Sequence, residues 1–460
     1  MNRSQIKDFT HGSIMPQLII FSLPLFLSNF LQIVYNMVDM VIVGKELGLE
    51  GISGVSVGGD VTALLNFIAI GFASAGQVLI ARYIGAGERH KIGKFVGTMF
   101  SFLFTCAIVI SILGFLFRNE LLMMMNTPDE SWDEALSYSV ICMMGLVFIY
   151  GYNIVSAILR GMGDSKHPFI FIAVAAAINV ILDILFVMKL EMGAGGAALA
   201  TVISQAVSFI ACSIFLFKKR KEFALEASLY DFFRWDKEML SDLLKLGTPM
   251  AIKMASVQIS KLFVNSFINS YGKDISAFAG IANKISNVSN LISSAMNTAG
   301  STMVGQNLAA EKYDRVKKIL LRLALVTLSL AVVFSAAIIF FSDEIFTAFI
   351  DSENASDAEL ILGIGEKYVP IAILLFFGGA LRALMNALIN GSGNTIVNFT
   401  TAIFDGIILR IGLSVLFGLV LDMKHYGFWL GDALAGFTPF WIGLIFYFTG
   451  AWKKPRKRSK

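Results

Sequence analysis

Apolar residues fall along this chain in long unbroken runs of about 20–25, separated by short polar stretches rather than alternating with them. A helix needs about 20 apolar residues to cross a hydrocarbon core of about 30 Å, whereas a membrane barrel strand needs about ten with strict alternation. The runs therefore predict helices at about 14–38, 53–77, 93–117, 135–159, 168–189, 194–217, 243–270, 275–300, 316–341, 364–389, 395–420 and 427–452. The expected fold is an all-α integral membrane protein with twelve transmembrane helices. The polar stretch 218–242 reads as a linker between a first lobe, 1–217, and a second lobe with a basic tail, 243–460.

Composition narrows the class. The chain is 56% hydrophobic and only 15% charged, with mean hydropathy +0.72, where soluble domains are nearer one-quarter charged. Soluble enzymes, nucleic-acid binders and secreted modules are excluded. Lys and Arg concentrate in alternate loops: Arg82, Arg89, Lys91 and Lys94 after span 2, Lys218–Lys221 after span 6, Lys312, Arg315, Lys317 and Lys318 after span 8, and the tail KKPRKRSK. The opposite loops carry acids instead, such as Asp129, Glu130, Asp343 and Glu344. The positive-inside rule then predicts a multi-pass protein of the plasma membrane with both termini cytoplasmic. The polar start, MNRSQIKDFTHGS, carries no expected signal peptide.

Cys106, Cys142 and Cys212 lie inside apolar runs and read as small fillers, not a disulfide framework. The four histidines form no HExxH or paired cluster, so no metal ligand set is expected from them. The glycine-rich loops GAGERHK (85–91) and GMGDSK (161–166) lack the GxxxxGK[ST] pattern and a preceding strand. They read as tight turns, not phosphate cradles.

The two halves repeat weakly but in order. Pro24 matches Pro249, and Gly48 matches Gly272 within KELGLEGISG and NSYGKDISAFAG. GQVLIARYIGAGERHKIGK (76–94) aligns with GSTMVGQNLAAEKYDRVKK (300–318), and LRGMGDSK (159–166) with LINGSGNT (388–395); the offset is near 224 at first and near 230 later. Six spans per half preserve orientation, which makes a parallel repeat of two pseudo-symmetric six-helix lobes.

Polar groups in lipid are costly and mark an interior or a cavity. In span 1, Gln32, Tyr35, Asn36 and Asp39 share one helical face, and Pro24 frees the carbonyl near Ile20 and predicts a bend. Span 5 places Asn179 and Asp183 one turn apart, span 4 offers Asn153, and span 6 offers Thr201, Ser204, Gln205 and Ser208. Ser, Thr and Asn often serve only as helix–helix glue. A mid-helix Asp is different, at about 2.5–3.5 kcal/mol on insertion scales, so Asp39 and Asp183 read as a cation or proton site. The second half carries a longer amide stripe: Asn283, Asn287, Asn290 and Asn297 in span 8, with Gln258, Lys261, Asn265 and Asn269 in span 7. Span 10 adds Arg382, Asn386 and Asn390, and span 11 adds Asn398, Thr401, Asp405 and Arg410. A face this long reads as cavity lining, and Lys253, Lys261, Lys284, Arg382 and Arg410 outnumber Asp405 and Asp432.

These residues carry a resemblance. Pro24 with YNMVDMVIVG (35–44), GQVLIARYIGAGE (76–88), AILRGMGDSKHP (157–168), NVILDILF (179–186), GAGGAALATVISQ (193–205) and VGQNLAAEKYDRV (304–316) resemble the multidrug and toxic compound extrusion (MATE) family, in its prokaryotic branch, across essentially all of 12–452. The resemblance implies a MATE-type fold and H⁺- or Na⁺-coupled export, with no cofactor. It also implies a first-lobe coupling site at Asp39, Asn179 and Asp183, which would hold any Na⁺. Gln32, Tyr35, Asn153 and Thr201 match neighbouring polar positions, and Pro24 the bend. Some relatives carry acidic cation ligands in helices 7 and 10. Here those spans hold Lys253, Lys261 and Arg382, so a second-lobe cation site is not expected.

The reading is a secondary transporter, not an enzyme: ion-coupled antiport of drugs or other organic solutes by alternating access. The substrate cavity is expected to be lined by Gln32, Tyr35, Asn36, Asn153, Thr201, Lys261, Asn265, Asn283, Asn287 and Arg382. The expected partners are a small-molecule substrate and the lipid bilayer, without nucleic acid, and the chain is expected to work as a monomer. The alternative is a flippase for lipid-linked precursors, for which a basic second-lobe cavity would suit a pyrophosphate headgroup. An intramembrane enzyme would need a nucleophile–base set that the spans do not offer.

Overall fold

The computed structural model describes residues 6–223, 235–348 and 355–453. The middle of the expected linker and the basic tail beyond Lys453 lie outside them. Among the described residues there is no strand. This is what lipid imposes, since a helix satisfies its backbone groups within one segment.

The first half comprises α1 (Ile14–Gly85), α2 (Ile92–Leu116), α3 (Arg118–Met124), α4 (Trp132–Gly161), α5 (Lys166–Asp183) and α6 (Gly193–Lys218). The second comprises α7 (Lys237–Asn269), α8 (Lys273–Ala309), α9 (Tyr313–Phe340), α10 (Ser342–Thr347) and α11 (Ala355–Ser392). It ends with α12 (Thr395–Ile403), α13 (Leu409–Val415), α14 (Lys424–Ala435) and α15 (Thr438–Phe448). Nine helical stretches among the described residues are long and apolar enough to cross a membrane. α1 holds two spans, and α7 and α8 are 33 and 37 residues long but carry the amide stripes. The twelve expected spans fit this arrangement.

α1 breaks at Gly48 (φ 62, ψ −148), and Gly272 before α8 takes the related values φ 116, ψ 173. This backbone region is essentially restricted to glycine, so the two aligned glycines make the same chain reversal. A second pair repeats a contact. A Cβ on Gly161 would lie 2.8 Å from the Gln77 carbonyl oxygen, and one on Gly391 would lie 2.9 Å from that of Ser301. Gln77 and Ser301 are aligned positions of the repeat. Asp164 and Asn394 then cap the following helices. The Asp164 carboxylate accepts from the Lys166 amide (3.1 Å), and the Asn394 side chain from the Val397 amide (3.1 Å).

The chain forms two compact units: Met1–Asp8 with Leu23–Ala251, and Phe9–Ser22 with Ile252–Lys460. In the first, α6 packs along α4 and α5, and α2 along α4. Ile80, Phe95, Met99, Ile158 and Leu159 are fully buried in its core. In the second, α11 packs along α8 and α9, and Phe278, Tyr368 and Trp429 form an edge-to-face triad with centroids 5.2–5.4 Å apart. The segment from Phe9 is tied into this unit. The Phe9 amide donates to Gln306 Oε1 (2.8 Å), and the Arg315 guanidinium donates to the carbonyls of Phe9, His11 and Gly12 at 2.7–2.9 Å.

Candidate functional site

The first unit gathers its acids from two helices. Asp39 on α1 is 3% exposed, and Asn179 and Asp183 at the end of α5 are 1% and 0% exposed. Asp183 directly precedes a π-helical turn, Ile184–Lys189, a local widening often found at functional sites. The carboxyl groups of Asp39 and Asp183 approach within hydrogen-bonding reach of each other. Two carboxylates are both acceptors, so that contact becomes a bond only when one holds a proton. No protein donor among the described residues reaches Asp39 Oδ1, Asn179 Oδ1 or either Asp183 oxygen. Four buried acceptor oxygens without donors are an uncommon arrangement. They suit a positive species, either a proton shared by the carboxyls or a small hard cation taking oxygen ligands.

The surrounding polar residues fall into two sets. Asn179 Nδ2 reaches Thr201 Oγ1 at 3.5 Å, Thr201 bonds Tyr138, and Tyr35 bonds Gln205. Tyr35 and Thr201 therefore stand with Asp39, Asn179 and Asp183 around one locus. Asn153 belongs to another set, donating to Asn66 Oδ1 (3.4 Å) and the Ile149 carbonyl (3.0 Å). Gln32 is half-buried and Asn36 exposed on α1. Pro24 lies within α1, and its carbonyl accepts from the Ser28 hydroxyl at 2.8 Å. Tyr138 was not among the expected site residues. As an aromatic in an apolar run it has no polar spacing to mark it.

The second unit buries an ionic cluster. Arg410 is fully buried and donates to Asp405 Oδ1 (2.9 Å) and to Asp432. Lys253 Nζ donates to Asn386 Oδ1 at 2.6 Å, so it pairs with a neutral amide. Among the described residues Arg382 Nε is buried with no hydrogen-bond partner. Arg382 Nη2 lies 2.8 Å from where a Cβ on Gly436 would sit. A pocket in this unit is lined by Lys261, Asn265 and Asn283, with Tyr368, Trp429 and Asp432. Arg382 is not among its lining residues, and Asn287 is exposed on α8.

The MatE family model matches the chain twice, over residues 24–185 and 249–416; each match begins at one of the two aligned prolines. The chain is 28% identical over 441 residues to "Probable multidrug resistance protein YoeA" of Bacillus subtilis strain 168, covering 95% of this chain and 93% of that one. It is 26% identical over 447 residues to "Probable multidrug resistance protein YpnP" of the same organism, covering 97% of each. Among solved structures, a MOP superfamily transporter from Pyrococcus furiosus superposes with TM-score 0.88 at 22% identity, over 99% of this chain and 100% of that one. A MATE structure described as in the bent conformation superposes with TM-score 0.86 at 21% identity, over 97% of each chain. The expected fold class is borne out by these superpositions.

Proposed function

The chain belongs to the MATE family, whose members are transporters and not enzymes, and from that premise we propose that it exports organic solutes by ion-coupled antiport. The observation that carries this reading is the set of buried acceptor oxygens on Asp39, Asn179 and Asp183 that no donor among the described residues reaches. Two carboxyls within bonding reach repel each other when both are ionised, and Coulomb energy in a poorly polarisable interior is large. Uptake of H⁺ or Na⁺ removes that repulsion. An ion can drive transport only if it prefers one access state over the other, and a cluster shared by α1 and α5 supplies such a preference when the helices move relative to each other.

In this cycle the ion enters from outside, the α1–α5 contact tightens, and substrate leaves outward. Loss of the ion to the inside resets the carrier. Pro24 supplies the pliable point in α1, because its ring removes one backbone donor. The reading places a monomer in the plasma membrane with both termini cytoplasmic, in keeping with the Lys and Arg loops. The multidrug resistance names of the B. subtilis relatives support organic solutes as cargo. The test is efflux of a fluorescent solute from everted vesicles, with a pH or a Na⁺ gradient imposed separately. One gradient should drive accumulation and its collapse should stop it. Accumulation that ignores both gradients would exclude antiport.

A further inference from the structure

In the second unit the buried Arg410 and the half-buried Lys253, Lys261 and Arg382 outnumber the acids Asp405 and Asp432. Arg410 engages both Asp405 and Asp432. Four cations, Lys253, Lys261, Arg382 and Arg410, share these two acids, and among the described residues Lys253, Lys261 and Arg382 form no ion pair with a carboxylate: Lys253 meets an amide, and Arg382 Nε has no hydrogen-bond partner. Lys261, Arg382 and Arg410 are close enough to one another, and to the two acids, to interact through their charges. Cations partly withdrawn from water without a full counter-charge are costly, and packing hydrophobic helices does not require them. Of these cations Lys261 lines the pocket, beside Asn265 and Asn283. Asp432 lines it too, but the single charge of Arg410 is divided between Asp432 and Asp405, so these two acids are shared with Lys261 and Arg382 and a positive excess remains. Tyr368 and Trp429 form a wall held by Phe278.

We propose that this pocket receives the acidic group of the exported solute, with Lys261 on the charge and Asn265 and Asn283 on its remaining oxygens. A carboxylate or phosphate is the group that completes this arrangement, because it supplies the missing counter-charge and accepts from both ammonium and amide. A simple organic cation would add to the excess. The inference rests on the export reading only for the word exported; the binding claim stands on the pocket.

The test uses full-length protein in phosphatidylcholine nanodiscs and two probes, a rhodamine with a free benzoate and its methyl ester, which differ by one ionised group. Fluorescence polarisation should show the acid bound roughly tenfold or more tightly than the ester, as a charge-assisted hydrogen bond allows. Lys261→Gln should remove that preference and Lys261→Arg should keep it. Equal binding of acid and ester by the wild-type protein overturns the proposal, whatever the variants do. Equal weakening of both by Lys261→Gln overturns it as well. If phosphatidylglycerol added to the nanodisc displaces the acid in a Lys261-dependent way, the ligand is a lipid headgroup and the assignment to an exported solute fails. No gradient is imposed. An Asp39→Asn protein that keeps the acid preference but does not pump therefore separates a failure of this inference from a failure of the export reading.

Discussion

Asp183 brings its carboxyl against that of Asp39, and neither Asp183 oxygen receives a hydrogen bond from a donor among the described residues. A structural aspartate in a membrane helix would be expected to have such a donor. On the mechanism proposed above, the pair is arranged for an ion that arrives and leaves.

Neutralising one member should spare the fold and remove the coupling. Asp183→Asn keeps the side-chain size, ends the carboxylate repulsion and supplies an amide donor to Asp39. We expect near-normal yield and a monodisperse protein, with gradient-driven efflux down at least about tenfold, the effect of roughly 1.4 kcal/mol on ion affinity. Full efflux by Asp183→Asn and Asp39→Asn alike would remove the site assignment.

Arg410 carries the opposite expectation. It serves two carboxylates in a buried setting, and its removal leaves both without their cation. Truncating one partner of a buried ion pair costs about 3–5 kcal/mol. Arg410→Met should lower the thermal transition in detergent sharply or abolish folded yield. Asp405→Asn, which leaves Arg410 with Asp432, should cost less. Unchanged thermal stability of Arg410→Met would contradict this pairing.

Much of this was legible in the sequence, and the reason is energetic. Charge and amide at membrane depth are costly, so Asp39, Asn179 and Asp183 stand out on spacing alone. Gly48 and Gly272 align because both make a turn open to glycine. The partnerships were not legible. Asp432 lies on α14 and Arg410 on α13, and nothing in either local pattern says that one guanidinium takes both Asp405 and Asp432. Tyr138 joins Thr201 through one hydroxyl on an otherwise apolar face. The tie between Phe9 and Gln306 spans 297 residues of chain, beyond the reach of any periodicity.

The repeated glycine contact gives a packing prediction. Gly391→Val would push a side chain into the Ser301 carbonyl, 2.9 Å from its Cβ, and force α8 and α11 apart. Overpacking of this kind costs about 1–3 kcal/mol. Size-exclusion profiles should show loss of the monodisperse peak, and Gly161→Val should do the same through Gln77. A sharp peak for both would mean that these crossings tolerate a side chain.

At the start of α7, Asp236 accepts from the Met239 amide (2.9 Å) and pairs with Lys94 Nζ (2.6 Å). The Lys94 hydrogen bond, with the Met239 amide, holds its carboxyl below the usual carboxylate range. A depressed folded value contributes stability above the ordinary Asp value of about 3.9, and loses it as pH falls through the folded value. Lys94 is largely exposed and Asp236 half-buried, so solvent screens the pair and its worth is about 1 kcal/mol or less. Asp236→Ala should lower the thermal transition slightly at pH 7, and the difference from wild type should vanish in strong acid. A difference that grew on acidification would reverse the sign assigned here.

The central claim, that Asp39 and Asp183 exchange the driving ion against substrate, is tested most directly by ion flux on substrate addition. Proteoliposomes carrying a pH-sensitive or Na⁺-sensitive dye are preloaded with an ion gradient and given a transported solute. The wild-type protein should dissipate its driving gradient on substrate addition. Asp39→Asn should still bind solute, by fluorescence polarisation, yet move no ion. Substrate-triggered ion flux at the wild-type rate through Asp39→Asn would contradict the account.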